Sequence, residues 1–302
     1  MHIFVTGASG YIGGSVAVRL RDAGHAIRGL VRRADTAERL RMLGIEPVIG
    51  TLEDAALLTD AARRADAVVN AASSDHRGAA DALVAALAGS GKVLLHTSGT
   101  SIVATDSRGE PDDRIFTEDT PVHPVPEKAA RVALDRSIRE AADMGVHSIV
   151  LCNSMIYGHG LGLHRDSVQV PRLVEFARNS GVARHIGRGE NIWSNVHIAD
   201  MAELYLLALT RAPAGSFYYV ENGEASYREI AAAIATALSL RQPPQSLDPE
   251  EAFRLWGFER AAFSLGSNSR VSSARARREL GWAPRHASLT DWILRELAAP
   301  AA

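Results

Sequence analysis

The chain is short of several things at once. It has one cysteine, Cys152, in 302 residues, which excludes an intrachain disulfide and any multi-cysteine metal cage and fits a reducing, cytoplasmic setting. No stretch approaches the roughly 18 apolar residues of a membrane span, and the start lacks a charged leader followed by an apolar block, so no membrane segment or cleaved signal is expected. The formal net charge is only -2, which gives no electrostatic case for nucleic acid or an anionic membrane as a partner. Lysine is almost missing: of 33 basic residues only Lys92 and Lys128 are lysines. His159 and His164 lack the spacing of helical metal ligands and have no neighbouring cysteine, so no metal site is expected. No Gly-x-Ser-x-Gly elbow occurs, which argues against a serine hydrolase built on Ser98.

Glycine is plentiful where it counts. The run Ile3-Phe4-Val5-Thr6-Gly7-Ala8-Ser9-Gly10-Tyr11-Ile12-Gly13-Gly14 passes from a short apolar strand straight into an amphipathic stretch, Ser15 to Ala23. Gly7 permits the tight turn, Gly10 lets the backbone approach a pyrophosphate, and Gly13 lets the new helix pack on the strand. Unfilled amides at the helix start attract phosphate. The cofactor-binding set expected here is Thr6, Gly7, Ser9, Gly10, Tyr11, Ile12 and Gly13.

Strand patterns recur at Ala26 to Arg32, Glu46 to Ile49, Ala67 to Ala71, Lys92 to Thr97 and Ser148 to Cys152, with helical patterns between most of them, including Val132 to Met144. That alternation predicts an α/β fold with a doubly wound parallel sheet of the Rossmann type. Past residue 152 the alternation fails. Residues 1–160 with about 190–221 are expected to form the dinucleotide domain, and about 161–189 with 222–302 a smaller, mostly helical substrate lobe closing over the strand ends.

The second strand ends Leu30-Val31-Arg32-Arg33, with no carboxylate until Asp35. An acid at the end of this strand reads the ribose of NAD, so two guanidiniums there favour NADP, unless both are merely solvated; Asp35 keeps NAD open.

The spacing Gly-x-x-Gly-x-x-Gly with Thr6 and Ile12 resembles the short-chain dehydrogenase/reductase family, and later segments resemble its extended branch, the epimerase/dehydratase group. These are Met155-Ile156-Tyr157-Gly158-His159-Gly160, Ser194 to Ala202, and Ala274 to Trp282. The resemblance implies that Thr51 and Leu52 lie near the adenine and that Ala71 and Ala72 run under the cofactor ribose. It also implies that His197 and Asp200 are architectural, Asp200 capping the next helix.

The family's Tyr-x-x-x-Lys pair is missing from His123-Pro124-Val125-Pro126-Glu127-Lys128-Ala129-Ala130-Arg131. If Lys128 is the family lysine, Pro124 takes the tyrosine position; if Arg131 is, as Asp135 suggests, Glu127 does. Other groups must then serve. Ser98, with Thr100 as an alternative, stands at the place of the family's serine or threonine. Tyr157 could supply the missing phenol, His123 stands beside the missing motif as a candidate proton donor, and Lys128 could hold the ribose or give a proton. The expectation is an NAD(P)-dependent oxidoreductase reducing a carbonyl or conjugated double bond of a small molecule. A silent redox sensor and a nucleotide-sugar epimerase or dehydratase are the alternatives, and a homodimer is implied by resemblance.

Overall fold

The computed structural model describes residues 1–298. β1 (His2–Thr6) is central because Ile3, Phe4 and Val5 are wholly buried, as expected for a parallel strand covered on both faces. β2 (Ala26–Val31) and β3 (Glu46–Ile49) follow on one side; β4 (Ala67–Asn70), β5 (Val93–Gly99), β7 (His147–Asn153) and β11 (Ser216–Val220) follow on the other. All six neighbouring pairs are parallel, giving one seven-stranded sheet in the order β3-β2-β1-β4-β5-β7-β11. The order runs outward from β1 in both directions, so a crevice opens at the carboxyl ends of β1 and β4.

Two helical layers cover the sheet. One buries Leu95 and Leu151 against α1 (Tyr11–Asp22) and α7 (Ile198–Arg211), with α2 (Ala34–Met42) and α11 (Ala274–Leu280) at its margins. The other buries Leu94 and Val150 against α3 (Ala55–Arg64), α4 (Arg77–Leu87) and α5 (Pro126–Glu140). Because strand side chains alternate between faces, His96 and Ser98 share the α5 face with Leu94, and Thr97 points to α7.

A third apolar cluster lies beyond the strand ends and holds the lobe together. It contains α6 (Gln169–Ser180), α8 (Tyr227–Ala237), α9 (Pro249–Trp256) and α12 (Leu289–Ala298). The short α10 (Phe258–Arg260) runs into a π-helical turn at Ala261–Leu265. Short strands accompany these helices. β8 (Met155–Tyr157), β10 (Ile192–His197) and β12 (Glu224–Ser226) form a three-stranded sheet; β9 (Arg184–Ile186) pairs with β13 (Gln245–Leu247), and β6 (Thr105–Asp106) with β14 (Ser267–Asn268). β10 apart, these strands of two or three residues leave too short an alternation to be read in advance.

α5 begins at Pro126, inside the segment His123 to Arg131 where the family resemblance puts the start of this helix and ahead of the apolar periodicity from Val132; Pro126 takes a first-turn position that its missing N–H makes favourable. Glu127 and Lys128 are therefore helical. Asp200 does not cap α7: the imidazole of His197 does, accepting from the Ala199 amide at 3.2 Å. The Asp200 carboxylate instead takes the His286 amide at 2.8 Å and faces its Nδ1 at 3.0 Å, tying the C-terminal segment to α7.

Candidate active site

The glycine turn has the geometry of a phosphate cradle. Gly7 sits at φ +73°, and a Cβ there would lie 2.7 Å from the Ala71 carbonyl oxygen; one on Gly13 would lie 2.4 Å from the Gly7 oxygen. The strand, turn and helix are thus packed as closely as glycine allows. Gly10 is the N-cap of α1 and no side chain caps that helix, so its first-turn amides are available to an anion. Thr6 is buried and holds the floor in place: its hydroxyl accepts the amides of Ala71 and Ala72 at 3.1 and 3.2 Å and donates to Asn70 Oδ1 at 2.8 Å. The Tyr11 hydroxyl donates to the Gly158 carbonyl at 2.8 Å, clamping the lobe's first loop over the turn.

At the outer end of the turn Ser9, Arg32, Arg33, Thr36 and Arg39 surround a pocket of about 250 Å³. Arg33 is paired with Asp35, whose carboxyl that pairing holds below the usual range. Arg32 and Arg33 are both exposed, and Arg39, which the sequence reading passed over, joins them from further along α2. Thr51 and Leu52 follow β3 and border neither this pocket nor the main cleft: Thr51 Oγ1 accepts the Glu53 amide at 3.2 Å, and Leu52 packs on the α3 layer.

The main cleft, about 840 Å³, runs from Tyr11 and Ile12 past Ala71 and Ala72 to the end of β5 and then under the lobe. Its reactive end combines Thr97, Ser98, Thr100 and Ser101 with Lys128 and Arg131 of α5. Lys128 is buried at 7% exposure, and its ammonium reaches Glu259 of the lobe at 2.8 Å. Arg131 donates to Asp75 at 2.8 Å and to Ser101 Oγ at 2.9 Å. Of the two candidates for the family lysine, Arg131 is the one that lies against the end of β5, 3.6 Å from where a Cβ on Gly99 would stand. Its register puts Glu127 at the tyrosine position, and Glu127 is exposed.

The candidate hydroxyls differ in what they are bonded to. Ser98 borders the cleft, but its Oγ donates to Asp135 at 2.6 Å. Thr100 is buried on the cleft wall and its Oγ1 has no hydrogen-bond partner among the described residues, so this alternative holds the uncommitted hydroxyl.

Two expected catalytic residues lie elsewhere. Tyr157 does not face the cleft: it is buried, its hydroxyl donates to the His286 carbonyl at 3.0 Å, and burial raises its pKa. β8 carries it into the lobe's own sheet, edge-on to His197. His123 is exposed and borders a separate pocket with Phe116 and Arg114. Sequence reasoning passed over Glu259 and the lobe aromatics Trp193, Trp256, Phe258 and Phe263, which complete the cleft, and Asp75, which holds Arg131. They come from distant segments, and no local pattern marks them. Among the described residues no group of three or more His, Cys, Asp or Glu side chains could hold a metal, and no helix is long and apolar enough to cross a membrane.

The glycine cradle, the uncapped helix and the small residues under the cleft fit a dinucleotide. The sequence model of the NAD dependent epimerase/dehydratase family matches residues 3–220, and the chain belongs to that family, the extended short-chain dehydrogenase/reductases. It is 34% identical to an uncharacterized protein of Schizosaccharomyces pombe, over 96% of this chain and 97% of the other. It is also 34% identical to the oxidase ucsJ of an Acremonium species, covering 93% and 92%. A ketoreductase of Stigmatella aurantiaca acting on a farnesyl dihydroquinoline oxide is 26% identical over 94% and 92%. In fold the chain is similar to a dTDP-glucose 4,6-dehydratase of Streptomyces venezuelae solved with NAD, with TM-score 0.79, 21% identity, and 98% and 96% of the chains covered.

Proposed function

We propose that the protein is an NADPH-dependent reductase of a carbonyl, or of a double bond conjugated to one, in a small and largely apolar molecule. The observation that carries this reading is the single cleft joining the glycine cradle to the hydroxyls of β5 beneath an aromatic lobe wall. The dinucleotide, when bound, supplies hydride. Gly7, Gly10 and Gly13 hold its pyrophosphate, Ala71 and Ala72 underlie the ribose, and Arg32, Arg33 and Arg39 surround a 2'-phosphate. Ser98 holds and polarises the substrate oxygen, and Lys128, fixed by Glu259, joins the lobe to α5.

The lobe side of the cleft disfavours a sugar nucleotide. Lys128 and Arg131 are already paired with Glu259 and Asp75, Arg260 is turned back to the Trp256 carbonyl at 3.1 Å, and the remaining wall includes Trp193, Trp256, Phe258 and Phe263. A side cavity of about 450 Å³ continues from Val168 and Trp256 along Leu173 and Phe176, with Arg172 and Arg260 at its edge. Such a space suits an alkyl or aryl tail. Relatives named as a ketoreductase and as a 2-alkyl-3-oxoalkanoate reductase support the same class.

The test is a fluorescence titration with NADPH and with NADH, followed by NADPH oxidation assays on aryl and alkyl ketones, enones and nucleotide sugars. NADPH preference with turnover of an apolar ketone or enone is expected. Turnover of nucleotide sugars alone would replace the proposal, and tight binding without any turnover would favour a sensor.

A further inference from the structure

The polar side chains buried beneath β5 form a chain whose directions can be assigned. Thr6 accepts two backbone amides, so its own proton goes to Asn70 Oδ1. Asn70 Nδ2 must then donate, and it meets His96 Nδ1 at 3.0 Å. Burial, with the charge of Arg131, lowers His96 to about 4, so the ring is neutral and its proton sits on Nε2. That N–H has no hydrogen-bond partner among the described residues, and it lies 3.7 Å from Oδ1 of Asp135, which has none among them either. The other carboxyl oxygen of Asp135 meets the Ser98 hydroxyl at 2.6 Å. Asp135 is 4% exposed, yet it touches two openings. Through Ser98 it reaches the cleft, and on its other side it borders a second cavity of about 270 Å³ with Glu118 and Tyr219.

We propose that Asp135, acting through Ser98, supplies the proton of carbonyl reduction in place of the absent phenol and recovers it from solvent through the second cavity. This rests on the reductase reading above. With Asp135 protonated, its O–H donates to Ser98 Oγ and the serine proton is free to turn into the cleft. As hydride adds to the carbonyl carbon with its electron pair, the C=O π pair moves to oxygen. That oxygen takes the Ser98 proton, Ser98 takes the Asp135 proton, and the carboxylate left behind is reprotonated by solvent. The substrate is reduced to the alcohol and the dinucleotide is oxidised.

The surroundings suit a donor working near neutrality. Burial raises Asp135 to about 7 and the charge of Asp75 adds to this, while the Ser98 bond and Arg131 lower it. The other groups facing it are His96 on β5, Cys152 on β7, Tyr219 on β11, Glu118 and Asp119 before α5, and Arg136 and Arg139 on its own helix.

Infrared titration of the full chain and of Asp135→Asn, alongside kcat against pH, tests the relay. The wild type should show a protonated-carboxyl band lost with a midpoint near 7 and missing in the variant. Its kcat for reduction should fall above the same midpoint. Asp135→Asn should lose about 100-fold in kcat and that pH limb while keeping NADPH affinity. Ser98→Ala should lose the rate and keep the band. An active reductase without the band, or a variant that keeps the limb, would overturn the relay alone. NADPH binding with no carbonyl reduced would overturn the reductase reading and the relay's reaction with it, even if the band titrates as expected.

Discussion

Arg131 and Asp75 bridge the two sides of the cleft floor: Nε of the guanidinium on α5 lies 2.8 Å from Oδ1 of the carboxylate in the loop after β4. The same guanidinium donates to Ser101 at 2.9 Å, beyond the end of β5. Three segments are thereby fixed around the place where the reacting atoms meet. Asp75 is held below the usual carboxylate range, first by this hydrogen bond. Arg131→Ala should cost about 1 kcal/mol, because Asp75 is exposed enough to be rehydrated. Thermal unfolding should show a drop of about 1–2 °C. Arg131→Lys should recover only part of it, since an ammonium cannot make both contacts in the planar fork. Full recovery would show that charge alone is needed.

The arginine pocket makes a sharper prediction. Arg32→Ala combined with Arg33→Ala should weaken NADPH binding by about 10- to 100-fold, the worth of one or two charge-assisted hydrogen bonds, and change NADH binding little. Equal losses for both dinucleotides would remove the phosphate role.

Much of the cradle was legible in advance because each glycine there has a backbone reason, a turn, a close approach or a helix start, that its immediate neighbours reveal. The seven-stranded sheet was legible for the same kind of reason, since buried parallel strands are short apolar runs between helical patterns. The reactive end was not. Arg131, Asp75, Glu259 and the lobe aromatics meet only after the chain has crossed the sheet several times, and Ser98 is engaged by a carboxyl on another element, Asp135 of α5. Tyr157 misled for a related reason: its motif fixes the chain at the end of β7, while its side chain belongs to the lobe's sheet.

Tyr157→Phe should accordingly leave kcat unchanged. It deletes one hydrogen bond to the His286 carbonyl, which should cost about 1 kcal/mol in denaturant unfolding. A large fall in turnover with the same stability would return Tyr157 to the chemistry.

Acid stability provides the last prediction. His96 and His197 are each lowered from 6.5 to about 4, in both cases first by burial, and in His197 also by the charge of His286, stacked on it at 3.9 Å. Between pH 6.5 and 4 the unfolded chain binds protons at these two sites that the folded chain refuses, so both histidines destabilise the fold as pH falls through that window. Asp135 has the opposite sign. Its folded value of about 7 lies above its ordinary 3.8, so its contribution is complete below 3.8 and is lost as pH rises through 7. Two histidines outweigh one carboxyl, and these three sites together should make the denaturant midpoint fall on acidification from pH 6.5 to 4. Asp135→Asn removes the opposing proton and should steepen that fall, whereas His197→Asn should flatten it. A midpoint that responds to neither substitution would mean that the buried groups titrate alike in the folded and unfolded chains.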